Sequence, residues 1–442
     1  MNNEIIYLPV GVGTFDMKVA DEDFKRSVNN LSTCCNVIVP DSPLLSITDL
    51  AKFLEGKSPD LVIFQNLTFA NSDYMQEVVK KTSCPILIWT LKERYVDGGR
   101  LRLNSLTGAY SASNLLYMLD KKEKFYIYAE SSDKKVSELV EKIDKAITTV
   151  KELNKLNIAT VGFNPDGFGF GQALSVDLLK TFGANLKQVE VRELMERAES
   201  YKDDEYRDIF DAANVDLKKY KFLESKQIDK SARLYKAYKD YITENNIGAL
   251  ASRCWPDYFV RYEAPVCGIL SVLNDQLIAA ACEGDVYGAL SMFIGNKLSD
   301  KQLFFGDPVH IDNEENLIYF WHCGMGACSL AANDNNVGVH PNRKMGPTME
   351  FVSKPSPEAT IFRVGRTSDG EFRFFISKGS VIEKEKPFLG TSSIVKLESP
   401  IKSWIEESVN DGREPHFTVI YKDVVEELKI LSKLLGINYY EY

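Results

Sequence analysis

Short runs rich in β-branched and aromatic residues alternate with amphipathic helical stretches along the first 156 residues, and the alternation starts again at residue 157. Runs at 5–10, 36–40, 60–65, 85–89 and 124–129 read as strands. The stretches 21–31, 47–54, 73–81 and 134–153 between them carry helical apolar spacing. Such alternation predicts parallel strands joined by crossover helices, with both faces of the sheet covered. In the second series, 158–163, 186–191, 247–252 and 277–282 read as strands. A long charged helical stretch runs through Asp240, and another helix spans 286–294. The polar stretch 151–155 separates the two series. After about residue 300 the character changes: 359–366, 370–377 and 393–398 are β-rich, and Ser368-Asp369-Gly370 supplies a hairpin turn signal. A helical segment at 424–435 follows. A chain of 442 residues also exceeds what one core usually supports. The expected architecture is two doubly wound parallel-sheet α/β domains, residues 1–156 and 157–300, followed by a β-rich, barrel-like domain at 301–442.

A formal charge of −10 argues against a broad nucleic-acid-binding face. No apolar run approaches the roughly 20 residues that a membrane helix requires. The opening MNNEIIYLPVGVGTFD has neither a basic region nor a long apolar core, so no signal peptide is expected and a cytoplasmic location follows. None of the eight cysteines falls in a C-x-x-C pair, which points to reduced thiols rather than structural zinc.

Two carboxylates sit just beyond apolar runs: Glu283 after LIAAAC and Asp307 after QLFFG, 24 positions apart. That is about one strand–helix–strand step, and the carboxyl ends of parallel strands are where ligands bind in open α/β sheets. A competing reading makes Glu283 or Asp285 a helix cap. Asp307 precedes Pro308, which predicts that the strand ends there. His310 and Asp312 nearby are alternatives to it. Of four histidines, His416 lies in Glu414-Pro415-His416-Phe417 and His322 follows LIYFW. Glu, Asp and His around one point suit a divalent cation, which polarises a sugar carbonyl while a carboxylate moves a proton. Trp255 and Arg253, in Arg253-Cys254-Trp255-Pro256, offer an apolar face for sugar C–H groups and a cation for hydroxyls or an acidic substituent. Gly167-Phe168-Gly169-Phe170-Gly171 lacks the spacing of a dinucleotide fingerprint, so no nucleotide cofactor is expected.

The stretches RCWPD at 253–257, ACEGDVYGAL at 281–290, FFGDP at 304–308, WHCG at 321–324 and PHFTVIYKDVVEELKILSKLLGI at 415–437 resemble the L-fucose/L-arabinose isomerase superfamily, in particular its shorter fucose-isomerase-like members. The resemblance covers roughly the last 200 residues. It implies two α/β domains with a C-terminal β-rich domain, and a manganese-type cation (Co2+ or Mg2+ otherwise) held by Glu283, Asp307 and His416. His322 looks like an additional histidine near the metal or substrate. A homo-oligomer, trimer or hexamer, is also implied.

The expected activity is metal-dependent aldose–ketose isomerisation of a free sugar through an ene-diol. Glu283 and Asp307 form the acid/base pair, and L-fucose or arabinose is the substrate type. An anionic hexose such as sulfoquinovose is the alternative, with Arg253, Arg261, Arg343 and Lys344 as sources of positive charge. From a different class, a non-catalytic sugar-binding protein would need the two α/β lobes alone. It would leave the β-rich tail and the Glu/Asp/His set without a role.

Overall fold

Five parallel strands, β1 (Ile5–Val10), β2 (Val37–Ile38), β3 (Leu61–Asn66), β4 (Ile86–Thr90) and β5 (Lys124–Tyr128), form the first sheet in the order 2-1-3-4-5. This is one of the doubly wound orders. The computed structural model describes residues 3–206, 225–333 and 337–442. β1, β3 and β4 are buried along their whole length, as expected of strands covered on both faces. Met1–Val150 with Ile430–Gly436 make one compact unit, and Lys151–Lys429 with Ile437–Tyr442 make the other.

The second unit begins with a four-stranded parallel sheet of β6 (Asn157–Val161), β7 (Asn185–Val189), β8 (Ile247–Ser252) and β9 (Ala279–Cys282), in the order 7-6-8-9. The charged helical stretch is helical at Val191–Ser200, Asp203–Tyr206 and Ser225–Glu244; residues 207–224 lie outside the described residues. The apolar run 277–282 is strand only from Ala279, because Leu277 takes a left-handed conformation (φ +60°) in the turn after the helix Cys267–Asp275. That helix is buried almost all round. It has no polar face to print a period on the sequence.

β10 (Leu303–Asp312) and β11 (Leu317–His322) open the third layer. After them come the short ladder of β12 (Val337–Gly338) with β13 (Thr348–Met349), then β14 (Phe351–Val352), β15 (Ser356–Arg366), β16 (Phe372–Val381), β17 (Thr391–Leu397), β18 (Phe417–Ile420) and β19 (Asn438–Glu441). Antiparallel pairing runs 17-11-10-18-15-16 and returns from 16 to 17, so six strands close into a barrel. Closure removes the sheet edges, and β14 and β19 add to it in parallel. Phe304, Phe320, Phe375, Trp404 and Phe417 belong to the core packed against this sheet. The fold class therefore follows the alternation and the change of character after residue 300.

One local expectation is corrected. The strand does not end at Asp307-Pro308: β10 continues to Asp312, with a shift of register against β11 between Pro308 and His310. An irregularity of this kind is how a ladder tolerates a residue without an N–H.

Candidate active site

The parallel sheet β7-β6-β8-β9 delivers its loops at one edge. β9 ends at Cys282, and the chain turns through Glu283 (φ +59°) and Gly284 (φ +69°) into the helix Val286–Ser299. A left-handed glutamate is a strained conformation, of the kind that persists where surroundings over-determine it. Here the Asn164 side-chain amide donates to the carbonyls of Glu283 (3.2 Å) and Gly284 (2.9 Å), pinning both peptides. Asp285 is the helix cap, accepting the Gly288 N–H at 2.8 Å. Asp285 therefore takes the cap, and Glu283 points at His416.

The barrel supplies the rest. Antiparallel register pairs Leu303 with Ile420 through Gly306 with Phe417, and so carries Asp307 alongside His416. His416 is buried. Its Nε2 lies 3.0 Å from Glu283 Oε2 and 3.3 Å from Asp307 Oδ1. Its Nδ1 lies 2.9 Å from Asp285 Oδ2. Asp285 is fully buried and also receives both terminal nitrogens of Arg363, at 2.6 and 3.0 Å. Burial alone would raise the Asp285 carboxyl, but the Arg363 guanidinium and His416 hold it well below the usual carboxylate range. An ionised carboxylate only accepts, so His416 Nδ1 donates to it; Nε2 carries the second ring proton toward Glu283 and Asp307 and presents a lone pair there once that proton is lost. A carboxylate behind a histidine that fixes its tautomer is a recurrent support of metal-ligating histidines.

Burial would push Glu283 up as well. The His416 hydrogen bond and the charges of His322 and His416 outweigh it and lower its pKa. Asp307 goes the other way, because burial dominates there and raises the carboxyl. His416 is drawn down by burial but held up to about 10 by Asp285 and Glu283.

His322 completes the group. Its Nδ1 accepts the Cys323 N–H at 2.9 Å, while its buried Nε2 has no hydrogen-bond partner among the described residues. Glu283, His322 and His416 each offer a ligand atom within 4.8 Å of the others, and this set fits a divalent cation. Two further observations agree with that fit. The orphaned Nε2 is a buried polar atom awaiting a partner. The chemistry of the donors is the second: carboxylate oxygen beside imidazole, with no thiolate among them, suits such a cation.

The glycine-rich loop 167–171, which carries no nucleotide fingerprint, packs against the site. Phe170 meets His416 edge-on at 5.3 Å between ring centroids, and Phe168 links Phe170 to Trp255. At Gly171 a Cβ would come within 2.7 Å of the Asp285 Cα, so only glycine allows this approach. Trp255 is partly buried, and its carbonyl accepts from Arg253 Nε at 3.1 Å. Arg253 and Arg261 line one cavity. Arg343 and Lys344 are exposed on a turn, with Arg343 over the Phe259 ring. His310 and Asp312 lie further along β10; His310 packs on Tyr319, and Asp312 accepts the N–H groups of Glu314 and Glu315. Of these three residues, Asp307 is the one in contact with His416. Arg363 is the site residue that sequence reasoning misses.

Comparison with known proteins then identifies the chemistry. No family model matches the chain. It is 48% identical over 438 residues to a sulfoquinovose isomerase from Clostridium sp. (strain MSTE9), which covers 98% of each chain. Similar relatives are the sulfoquinovose isomerases of Alkalicoccus urumqiensis (36% over 438 residues, 98% of each chain) and Priestia aryabhattai (35% over 448 residues, 99% of this chain and 98% of the relative). The chain is an aldose–ketose isomerase, an intramolecular oxidoreductase, which sets aside the non-catalytic sugar-binding reading. More narrowly, it belongs to the sulfoquinovose isomerase family. Among the described residues no helix is long and apolar enough to cross a membrane.

Proposed function

We propose that this enzyme interconverts sulfoquinovose, the glucose analogue with a sulfonate at C6, and its 2-keto isomer. Likeness along almost the whole chain to relatives bearing that activity carries the reading. The neutral substrates L-fucose and arabinose become the less favoured reading, and placement within the fucose/arabinose isomerase superfamily remains part of the proposal, as does a homo-oligomeric state.

We assign Glu283, Asp307 and His416 as the residues that hold the cation, with Mn2+ the first choice and Co2+ or Mg2+ the alternatives. Hard and borderline oxygen and imidazole donors without thiolate suit these ions. Once bound, such an ion supplies Lewis acidity toward the sugar carbonyl and the neighbouring hydroxyl. Glu283 and Asp307 move the proton between C1 and C2 and exchange protons at the two oxygens. His322 Nε2, buried without a partner among the described residues, is either a further imidazole ligand to the cation or, when it carries the ring proton, a donor to a substrate oxygen. The Phe170 ring shields His416 from water on one side.

Isomerisation in D2O tests the chemistry. Sulfoquinovose should yield the ketose with solvent deuterium at the carbon that receives the proton, in preference to L-fucose or arabinose run in parallel. Turnover of the neutral sugars alone would overturn the substrate assignment. Complete retention of the original hydrogen would count against proton transfer through an ene-diol.

Loading the cation onto His416 Nε2 must expel a proton from that ring. Because Asp285 and Glu283 hold the pKa of the metal-free histidine well above the usual imidazole range, Mn2+ affinity should fall about tenfold for each unit that the pH is lowered from 8 to 6. Isothermal titration between pH 6 and 8 measures the slope. An affinity independent of pH would remove His416 from the ligand set.

A further inference from the structure

A sulfonate is ionised at every pH an enzyme meets, so a site that prefers it must present a fixed cation at a set distance from the reacting carbons. The edge of the β7-β6-β8-β9 sheet provides one. β8 and β9 pair in parallel with Ser252 opposite Cys282, so Arg253 and Glu283 leave adjacent strands at the same level. Strand spacing puts their backbones about 4.8 Å apart, and the arginine side chain extends further. A cavity of about 310 Å³, whose lining includes Asn164 and Val286, adjoins the Glu283–Gly284 turn that Asn164 pins. It shares Gly162 and Glu190 with a second cavity of about 530 Å³, which Arg253 and Arg261 line. Gly162 has φ +74°, and a Cβ on it would lie 2.6 Å from Val191 Cγ2, so glycine is required at the junction.

The lining of the second cavity holds four carboxylates, Glu190, Glu193, Glu196 and Asp257, beside its three arginines, and Arg192 is paired with Glu196 at 2.8 Å. Arg253 is engaged through Nε alone, with the Trp255 carbonyl and Asp257 both at 3.1 Å. The bond to the Trp255 carbonyl orients the guanidinium, Asp257 is an ion-pair neighbour without a hydrogen bond at Oδ2, and the two terminal nitrogens make no hydrogen bond among the described residues. Such a fork, held from behind with its outer edge open, matches two oxygens of a tetrahedral oxyanion. Arg261 lines the same space and makes no ion pair among the described residues.

We propose that Arg253, supported by Arg261, is the subsite for the C6 sulfonate, at the strand end next to the one that carries Glu283. This inference rests on the sulfoquinovose reading above. Three measurements on the Mn2+-loaded enzyme test it: kinetics on sulfoquinovose, inhibition by quinovose (the same sugar without the sulfonate), and metal content. For Arg253→Ala the KM for sulfoquinovose should rise about 10- to 100-fold, with kcat, Mn2+ occupancy and the inhibition constant of quinovose unchanged. Arg253→Lys should recover part of the loss, since it restores the charge but not the fork. Arg261→Ala should raise the same KM by a smaller factor. An unchanged KM in Arg253→Ala, or equal weakening toward sulfoquinovose and quinovose, would overturn the subsite while leaving the activity intact. Failure of the unaltered enzyme to isomerise sulfoquinovose would instead overturn the functional reading itself, and the subsite with it.

Discussion

Replacing Glu283 by Gln is expected to lower kcat on sulfoquinovose by about 10²- to 10⁴-fold, the usual worth of a positioned general acid or base. Gln has the shape of Glu and can occupy the same left-handed backbone, held by the Asn164 hydrogen bonds to residues 283 and 284. Stability should therefore change little, and the loss belongs to chemistry and to the ligand set. Asp307→Asn should show a loss of the same order, since the amide keeps the contact with His416 but cannot take a proton. Metal content separates the two contributions: a variant that keeps its Mn2+ and still loses kcat has lost a proton carrier. Near wild-type turnover in both variants, with metal bound, would show that neither carboxylate moves the proton.

What could be read ahead of the structure follows from how local each signal is. Glu283 stands at the end of a buried strand and before a helix, and both features are written in consecutive residues, so its place at the carboxyl edge of the sheet is legible. The competition between capping and site roles is legible too, and it resolves because Asp285, two positions on, takes the cap. His416 is harder. Nothing in Glu414-Pro415-His416 indicates burial, which comes from Phe170 and Phe305 packing on the ring from distant segments. Pro308 misleads, because a break in the register lets the strand run past a residue that cannot donate. Arg363 leaves no local trace at all. It sits in the middle of a buried barrel strand, 78 positions from the carboxylate it pairs with. A charged residue in such a run reads as solvated until the partner is seen.

That arginine carries the second large expectation. Arg363 and Asp285 are among the most buried charges in the chain, with side-chain exposures of 1% and 0%. Breaking a buried pair from one side leaves the other charge without compensation and typically costs about 3–5 kcal/mol. Arg363→Met, which keeps much of the length and removes the cation, should destabilise the protein by about that amount in denaturant titrations. The pH dependence follows from the sign of the shift. Arg363 depresses the folded-state pKa of Asp285, so its contribution is present above the unfolded carboxylate value and disappears as pH falls through the folded one. The deficit of Arg363→Met should accordingly be full at pH 7 and shrink in strong acid. A second consequence runs through His416. Without Arg363 the Asp285 carboxylate loses one of the partners that fix its plane, and with it the alignment of the His416 Nδ1 hydrogen bond. Loss of such an outer partner usually weakens metal affinity about 10- to 100-fold. A variant that melts like the wild type and binds Mn2+ as tightly would show that Asp285 and His416 hold their arrangement without the arginine.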